Sequence, residues 1–292
     1  MISHDQIDLV HLQKGLGGTR FRGKVHHFDS VTSTNTLLLA AAAEGVPEGT
    51  VYLADSQTAG RGRSNHRWNS APGEGIYLSA LVRSPLPIAD ALLLSLATGL
   101  AAQYAVLEAT GLELDIRWPN DLMICDNAPA ADGPGEPRDQ KKCGGILVET
   151  AVEPGPDPYL RYAVIGIGIN VHQTEVAPEL TDFATSLYLA DRSRRDDPDD
   201  IVALFRAPLV LALLRHLDAE LKELERRSAK GRARLLQRFT ASSTWVHDCR
   251  VSIAEQGGYT GTTAGLDERG FLLVTGDDGR THTVLSGGVR AL

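Results

Sequence analysis

Residues 145–169 read GILVETAVEPGPDPYLRYAVIGIGI. Two apolar runs inside this stretch, 145–152 and 160–169, each have the length and composition of a strand, and no helical pattern separates them. Further strand-like runs lie at 22–28, 50–55 (TVYLAD), 76–82 (IYLSALV) and 113–118. Helical spacing fills only some of the gaps. TNTLLLAAAAEG starts at a polar cap, Ser33 or Thr34, and stops at Gly45. An Ala- and Leu-rich helix spans 88–110, and a third follows DDPDD. That third helix carries Ile201, Leu204, Phe205, Leu209, Ala212, Leu213, Leu217, Leu221 and Leu224 on one stripe, with Pro208 expected to bend it. The steady strand–helix–strand repeat of a parallel sheet is missing. The expectation is therefore α+β, with helices packed on a mixed sheet.

From Trp245 the writing changes. RVSIAEQ, YTGTTAGL, FLLVT and THTVLS are short strands divided by QGG, DERG and GDDG turns, the pattern of a small antiparallel barrel or sheet. This divides the chain into 1–242 and 243–292. NAPAADGPGEPRDQ, 127–140, is too rich in Pro, Gly and Asp to bury much surface and reads as a surface excursion.

A chain of 292 residues with 42% hydrophobic content has ample material for a core, and its net charge of −8 argues against a protein that coats nucleic acid. Cys125, Cys143 and Cys249 are scattered and odd in number, which suggests free thiols in a reducing cytoplasm rather than disulfides or a zinc site. The first fifteen residues lack a secretion pattern, and no run approaches the roughly 18 uninterrupted apolar residues of a membrane span. His216, beside the third helix's stripe, reads as a packing or boundary histidine.

Within this acidic chain, Thr58–Trp68 (TAGRGRSNHRW) concentrates Arg61, Arg63 and Arg67 among small residues. Gly60 and Gly62 let the loop turn sharply and aim arginines and amide N–H groups at one point, an arrangement suited to phosphate; a solvated hairpin tip fits the same letters. Trp68 suits either packing or a stacking plate for an adenine ring. Ser33-Thr34-Asn35 opens a helix, where capping and polar-ligand binding both fit. Arg117-Trp118-Pro119-Asn120-Asp121 leaves a carboxylate at the sheet margin, and Lys141-Lys142-Cys143-Gly144-Gly145-Ile146-Leu147-Val148-Glu149 puts lysines just before a buried strand. Gly166-Ile167-Gly168-Ile169-Asn170 is too short and apolar for a dinucleotide fingerprint, but would let a ligand or neighbouring strand lie against the backbone.

In this order, STN, QxxGRGR with a following tryptophan, WPND, KxxGILVE and GIGIN resemble the catalytic domain of biotin protein ligases. The resemblance covers about 25–240, and the β tail is similar to the family's C-terminal SH3-like domain. It implies a class II aminoacyl-tRNA synthetase-like fold; with only about thirty residues before the STN region's strand, the winged helix-turn-helix of repressor members is expected to be absent. The implied reaction joins biotin and ATP, with Mg2+, as biotinyl-5′-AMP, then transfers the biotinyl group to a lysine of a biotin carboxyl carrier domain. Arg63, Lys142 and Asp121 take the implied catalytic roles, with Asp121 orienting or deprotonating the acceptor lysine. Ser33, Thr34, Asn35, Gln57, Gly60, Arg61, Gly62, Arg63, Lys142, Gly145 and Gly166 would bind biotin; Trp68, Asn120, Lys142 and Asn170 would shape the nucleotide side; no protein metal cluster is implied. Neither DNA nor membrane is an expected partner, and an antiparallel sheet edge such as the 160–169 segment could pair with a carrier or with a second copy in a homodimer. Two departures stand out: Ser64-Asn65-His66 replaces a basic, glycine-containing segment, with Asn65 able to supply a left-handed turn, and Arg117 replaces the usual lysine before WPND. Lipoate or octanoate transfer on the same fold, and a biotin-binding sensor without turnover, are the rival readings.

Overall fold

The apolar runs pair as strands, and helices cover parts of both faces of the sheet: Leu38 and Ala42 pack with Leu81, Tyr162 and Val164, while Leu96, Leu100 and Leu213 belong to the cluster of Ala80, Val82 and Ile165. The computed structural model describes residues 6–84, 86–125, 140–156, 158–195, 205–226 and 228–292. In chain order the elements are α1 (Leu9–Gly15), β1 (Val25–Val31), α2 (Thr34–Ala43), β2 (Val51–Gln57), β3 (Gly75–Val82), α3 (Ala91–Thr110), β4 (Asp115–Arg117), β5 (Asp121–Cys125), β6 (Gln140–Glu153) and β7 (Tyr159–Asn170). There follow α4 (Leu187–Ser193), α5 (Arg206–Glu225), α6 (Ala229–Ser242), β8 (His247–Ile253), β9 (Tyr259–Leu266), β10 (Leu272–Gly276), β11 (Thr281–Val284) and β12 (Val289–Ala291).

The first seven strands form one mixed sheet in the order β1-β2-β3-β7-β6-β5-β4. Only β1 and β2 run parallel; β2–β3, β3–β7, β7–β6, β6–β5 and β5–β4 are antiparallel. The α+β expectation therefore holds, with one correction: the 160–169 run is no edge. β7 lies inside the sheet between β3 and β6, and β1 and β4 are the margins. Its position explains its composition, because a strand covered on both sides reads as continuously apolar.

Helix α3 is covered nearly all round, with Leu93, Leu94, Leu96, Ala97, Leu100 and Ala101 buried, and packs chiefly on α5. Among the described residues, Ile88–Thr110 alone is long and apolar enough to cross a membrane, and 67% of its most apolar window is buried inside the fold. Pro208 does not bend α5. The helix starts at Arg206, which places Pro208 in its first turn, where the missing N–H has no intrahelical acceptor to lose. Residues 201–204 of the expected stripe lie outside the described residues, as do 127–139 of the Pro- and Gly-rich stretch. His216 has a partner: its Nε2 lies 2.7 Å from Glu108 Oε2.

β8 to β12 form a second, wholly antiparallel sheet in the order β11-β10-β9-β8-β12. It begins five residues after α6 ends at Ser242. The apolar core runs without a break from the first sheet through α3 and α5 into Val251, Ile253, Leu272, Val274 and Val284. Trp118 joins the two parts by donating Nε1–H to the Gly270 carbonyl at 2.9 Å.

Candidate active site

A cleft opens over the middle of the first sheet, where β3, β7 and β6 run side by side. Its lining includes Ser33, Thr34, Asn35, Gln57, Arg61, Gly62, Arg63, Trp68, Asn120, Lys142, Gly145 and Gly166, drawn from segments far apart in sequence.

One end of the cleft is built from neutral hydrogen-bonding groups. Ser33 caps α2, accepting from Thr36 N at 3.4 Å. Gln57 Oε1 accepts from Thr34 N at 2.9 Å and Thr34 Oγ1 at 3.2 Å, and its amide donates to Ser70 Oγ at 2.9 Å. Beneath them, fully buried Ser79 donates within reach of Thr34 Oγ1 (2.8 Å) and Asn35 Oδ1 (2.5 Å). Asn35 extends its own amide to Glu149 Oε2 at 3.0 Å. A buried amide-and-hydroxyl network of this kind is rigid and holds fixed donors and acceptors for a small polar ring.

Thr58–Trp68 is a hairpin. Trp68 N donates to Gly60 O at 2.9 Å, Gly62 N donates to His66 O at 2.7 Å, and a single 3-10 turn, Arg63–Asn65, forms the tip. Ser64, not Asn65, supplies the left-handed residue, with φ 51°. The arginines have different partners. Arg61 is paired with the Glu149 carboxylate at 2.7 Å. Arg63 donates to Asn120 Oδ1 at 2.8 Å and to the Ser286 carbonyl. Burial lowers the Arg63 pKa from its ordinary value, opposed by the nearby charges of Asp121 and Glu255. With neutral oxygens as its direct partners, Arg63 is the cheaper of the two to transfer to an incoming anion.

Asp121 faces Arg117 directly across the β4–β5 pair. Its Oδ2 accepts from Arg117 Nη2 at 2.6 Å and Nε at 3.1 Å, and its Oδ1 lies 2.5 Å from Lys142 Nζ. Lys142 reaches it because the β5–β6 register slips at Leu122/Met123, which leaves Cys143 as the extra residue and turns Lys142 inward. On its other side the Lys142 backbone is held by Phe183 O at 2.8 Å and Thr185 N at 3.0 Å. Burial raises the Asp121 pKa, but Lys142 and Arg117 outweigh it and hold the carboxyl below its ordinary value. A carboxylate so held is a poor proton acceptor and a good electrostatic anchor.

The glycines make room for side chains. A Cβ on Gly166 would stand 2.3 Å from Asn35 Oδ1, and one on Gly168 would stand 2.6 Å from the Trp68 indole. Trp68 packs against that bare backbone with its ring centre 5.6 Å from Lys142 Nζ, and its buried Nε1 has no hydrogen-bond partner among the described residues. Gly60 supports this from below, since a Cβ there would stand 2.4 Å from Trp68 O. Gly60 itself is outside the cleft lining, as is Asn170, which donates to Thr185 O at 3.0 Å and so braces the 171–185 segment. Ser70, Ser79 and Tyr77 were not singled out from sequence. A lone serine inside the wholly buried strand GIYLSALV was the available signal for Ser79.

The geometry joins a neutral, hydrogen-bonding end to a cationic end on a mixed sheet, as in ligases that activate a small acid. The profile of the biotin/lipoate A/B protein ligase family matches residues 27–170. The bifunctional ligase/repressor BirA of Bacillus subtilis (strain 168) is 36% identical over 174 residues, which cover 59% of this chain and 48% of that one. This chain thus spans about half the length of that relative. The biotin--[acetyl-CoA-carboxylase] ligase of Mycobacterium tuberculosis (strain ATCC 25618 / H37Rv) is 32% identical over 267 residues, covering 88% and 85%. A solved structure of biotin protein ligase from Aquifex aeolicus in complex with biotin and ATP matches with a TM-score of 0.67 and 26% identity, covering 92% of this chain and 100% of that one. The chain belongs to the biotin protein ligase family.

Proposed function

We propose that this protein activates biotin with ATP as biotinyl-5′-AMP and transfers the biotinyl group to a lysine of a biotin carboxyl carrier domain. The observation that carries the reading is the two-ended cleft: Ser33, Thr34, Asn35 and Gln57 at a neutral end, Arg63 and Lys142 at a cationic one. The first group offers donors and acceptors to the ureido ring. The second supplies positive charge where a carboxylate must approach a phosphate, two anions that repel each other in water. In the first step the carboxylate oxygen bonds to the α-phosphorus and pyrophosphate leaves. In the second the lysine nitrogen bonds to the acyl carbon, AMP leaves with the electron pair of the broken C–O bond, and the amine proton passes to solvent.

Within this reading Arg63 and Lys142 contact the carboxylate and α-phosphate, Trp68 and Asn120 border the nucleotide, and Asp121 orients the acceptor lysine rather than deprotonating it. No group of three or more His, Cys, Asp or Glu side chains is placed to hold a metal among the described residues. The cleft's cationic end suits anions, so Mg2+ would be carried by triphosphate oxygens and water. The acidic balance speaks against DNA as a partner, and the thiols of Cys143 and Cys249, neither in a disulfide, speak for a cytoplasmic location. Residues 243–292 are read as an SH3-like unit, and a second copy is a candidate partner at the β1 or β4 margin.

Exchange of labelled pyrophosphate into ATP tests the reading. Exchange that requires biotin is the expected result. Exchange with lipoate or octanoate and none with biotin would replace the substrate, and biotin binding without exchange would make the protein a sensor.

A further inference from the structure

Asp121 divides its two oxygens between cations of different standing. Lys142, on Oδ1, lines the cleft and is open to capture by an anion. Arg117, on Oδ2, is held from behind: its guanidinium carbon lies 5.3 Å from the centre of the Trp245 ring. Trp245 is buried and its Nε1 donates to Gln140 Oε1 at 2.7 Å. The Gln140 amide donates in turn to Asp115 Oδ2 at 2.7 Å, and Asp115 Oδ1 accepts from Thr244 N at 3.1 Å. Trp245 is thus locked at the junction between α6 and the second sheet. A guanidinium can lie flat on an aromatic face and still fork a carboxylate in its own plane, which the lysine ammonium expected at this position could not do. The third charge facing Asp121 is Arg63, directed to Asn120 and Ser286.

We propose that Trp245 is a positioning residue for the transfer step: by clamping Arg117 it keeps Asp121 ionised and aimed when the adenylate draws Lys142 away, so that Oδ1 becomes the docking point for the acceptor lysine. The proposal rests on the ligase reading above. Its physical content is an exchange of cations. Binding of the phosphate takes Lys142 from Asp121, and a buried carboxylate left with no cation would take up a proton and lose its hold on an ammonium group. Arg117 prevents that only while it stays in place. The acceptor site is therefore completed after the first step, which orders the two half-reactions.

Single-turnover transfer from preformed biotinyl-5′-AMP to a carrier domain, measured as a function of pH, tests the proposal in the full chain. Trp245→Leu and Arg117→Gln should move the acid limb of the transfer rate upward by about one pH unit, because each weakens the charge that lowers the Asp121 pKa. Trp245→Phe, which keeps an aromatic face, should stay near the wild-type profile. Biotin-dependent pyrophosphate exchange should stay within about threefold of wild type in both Trp245 variants, since Trp245 does not line the cleft. An unmoved acid limb in Arg117→Gln overturns the proposal, and that variant decides the matter even if Trp245→Leu fails to fold. Equal losses of exchange and transfer in Trp245→Leu, with the profile's shape kept, also overturn it in favour of a structural role. A wild-type protein without biotin-dependent exchange would instead remove the ligase reading, and this proposal with it.

Discussion

At the scale of single residues, the site depends on atoms that are missing as much as on those present. Gly166 sits where a Cβ would stand 2.3 Å from Asn35 Oδ1, so Gly166→Ala must push Asn35 off Ser79. The expected result is a loss of biotin affinity of about tenfold or more, read by calorimetry, since a neutral hydrogen bond is worth about 1 kcal/mol and the displaced amide leaves partners unpaired. Unchanged affinity would place the ureido ring elsewhere. Asp121 gives a second prediction at this scale. Its folded pKa lies below the ordinary 3.8, so the stability from its two cations is present above that value and is lost as pH falls through the lower folded value. Asp121→Asn should therefore cost most melting temperature near neutrality, and the gap from wild type should close in strong acid. A gap independent of pH would mean that the carboxylate's charge is not what holds the region. The motif letters identified Arg61, Arg63, Lys142 and Asp121 as the charged set. They could not reveal that Arg61 is paired with Glu149 while Arg63 rests on neutral oxygens, because those partners come from residues 57 to 223 positions away.

At the scale of elements, legibility follows the strength of the period. Strands β2, β3, β7, β9 and β10 were readable almost to their ends because their side chains are buried on one or both faces and their letters say so. The apolar pattern of β6 starts at Gly145, but the strand begins at Gln140, and its polar opening QKKC is strand only because β5 pairs with it. β5 itself and the bulge that turns Lys142 toward Asp121 have no local signature, since a register slip is a property of two strands at once. α6 has a weak signature for a related reason: AKGRARLLQRFTAS contains a glycine and four charged residues, and only Leu235 and Phe239 among its large side chains are buried. α5 was legible, and its stripe makes a prediction. Leu213 is fully buried, so Leu213→Ala should lower unfolding free energy by about 2–5 kcal/mol in denaturant melts, with biotin affinity unchanged because the helix lies away from the cleft. A loss under about 1 kcal/mol, close to the cost of a surface change, would show that the α3–α5 interface is loosely packed.

At the scale of the whole molecule, the chain after α6 reaches the site, among the described residues, through Trp245 and through the turn at Leu285–Gly288, and no reading of local pattern could have joined them. Trp245 stacks on Arg117, and the Ser286 carbonyl of the turn receives Arg63. Glu255 fixes that turn, accepting from Leu285 N at 3.0 Å and from Ser286 N and Oγ at 2.6 Å each. Burial raises the Glu255 pKa, and these hydrogen bonds more than offset it, leaving the carboxyl below its ordinary value. Gly287 stands against Arg63 and Pro119 with φ 100°, a conformation and a closeness that a side chain would spoil. In Glu255→Ala the turn loses its anchor and Arg63 loses a defined resting partner, while Ser33, Thr34, Asn35 and Gln57 are untouched. The KM for ATP in pyrophosphate exchange should then rise by up to about tenfold, the worth of one or two hydrogen bonds, with the Kd for biotin within about twofold. If biotin affinity falls as far as ATP affinity, the second sheet supports the cleft as a whole. If only ATP is affected, the sheet acts through Arg63, and the two ends of the cleft answer to different parts of the chain.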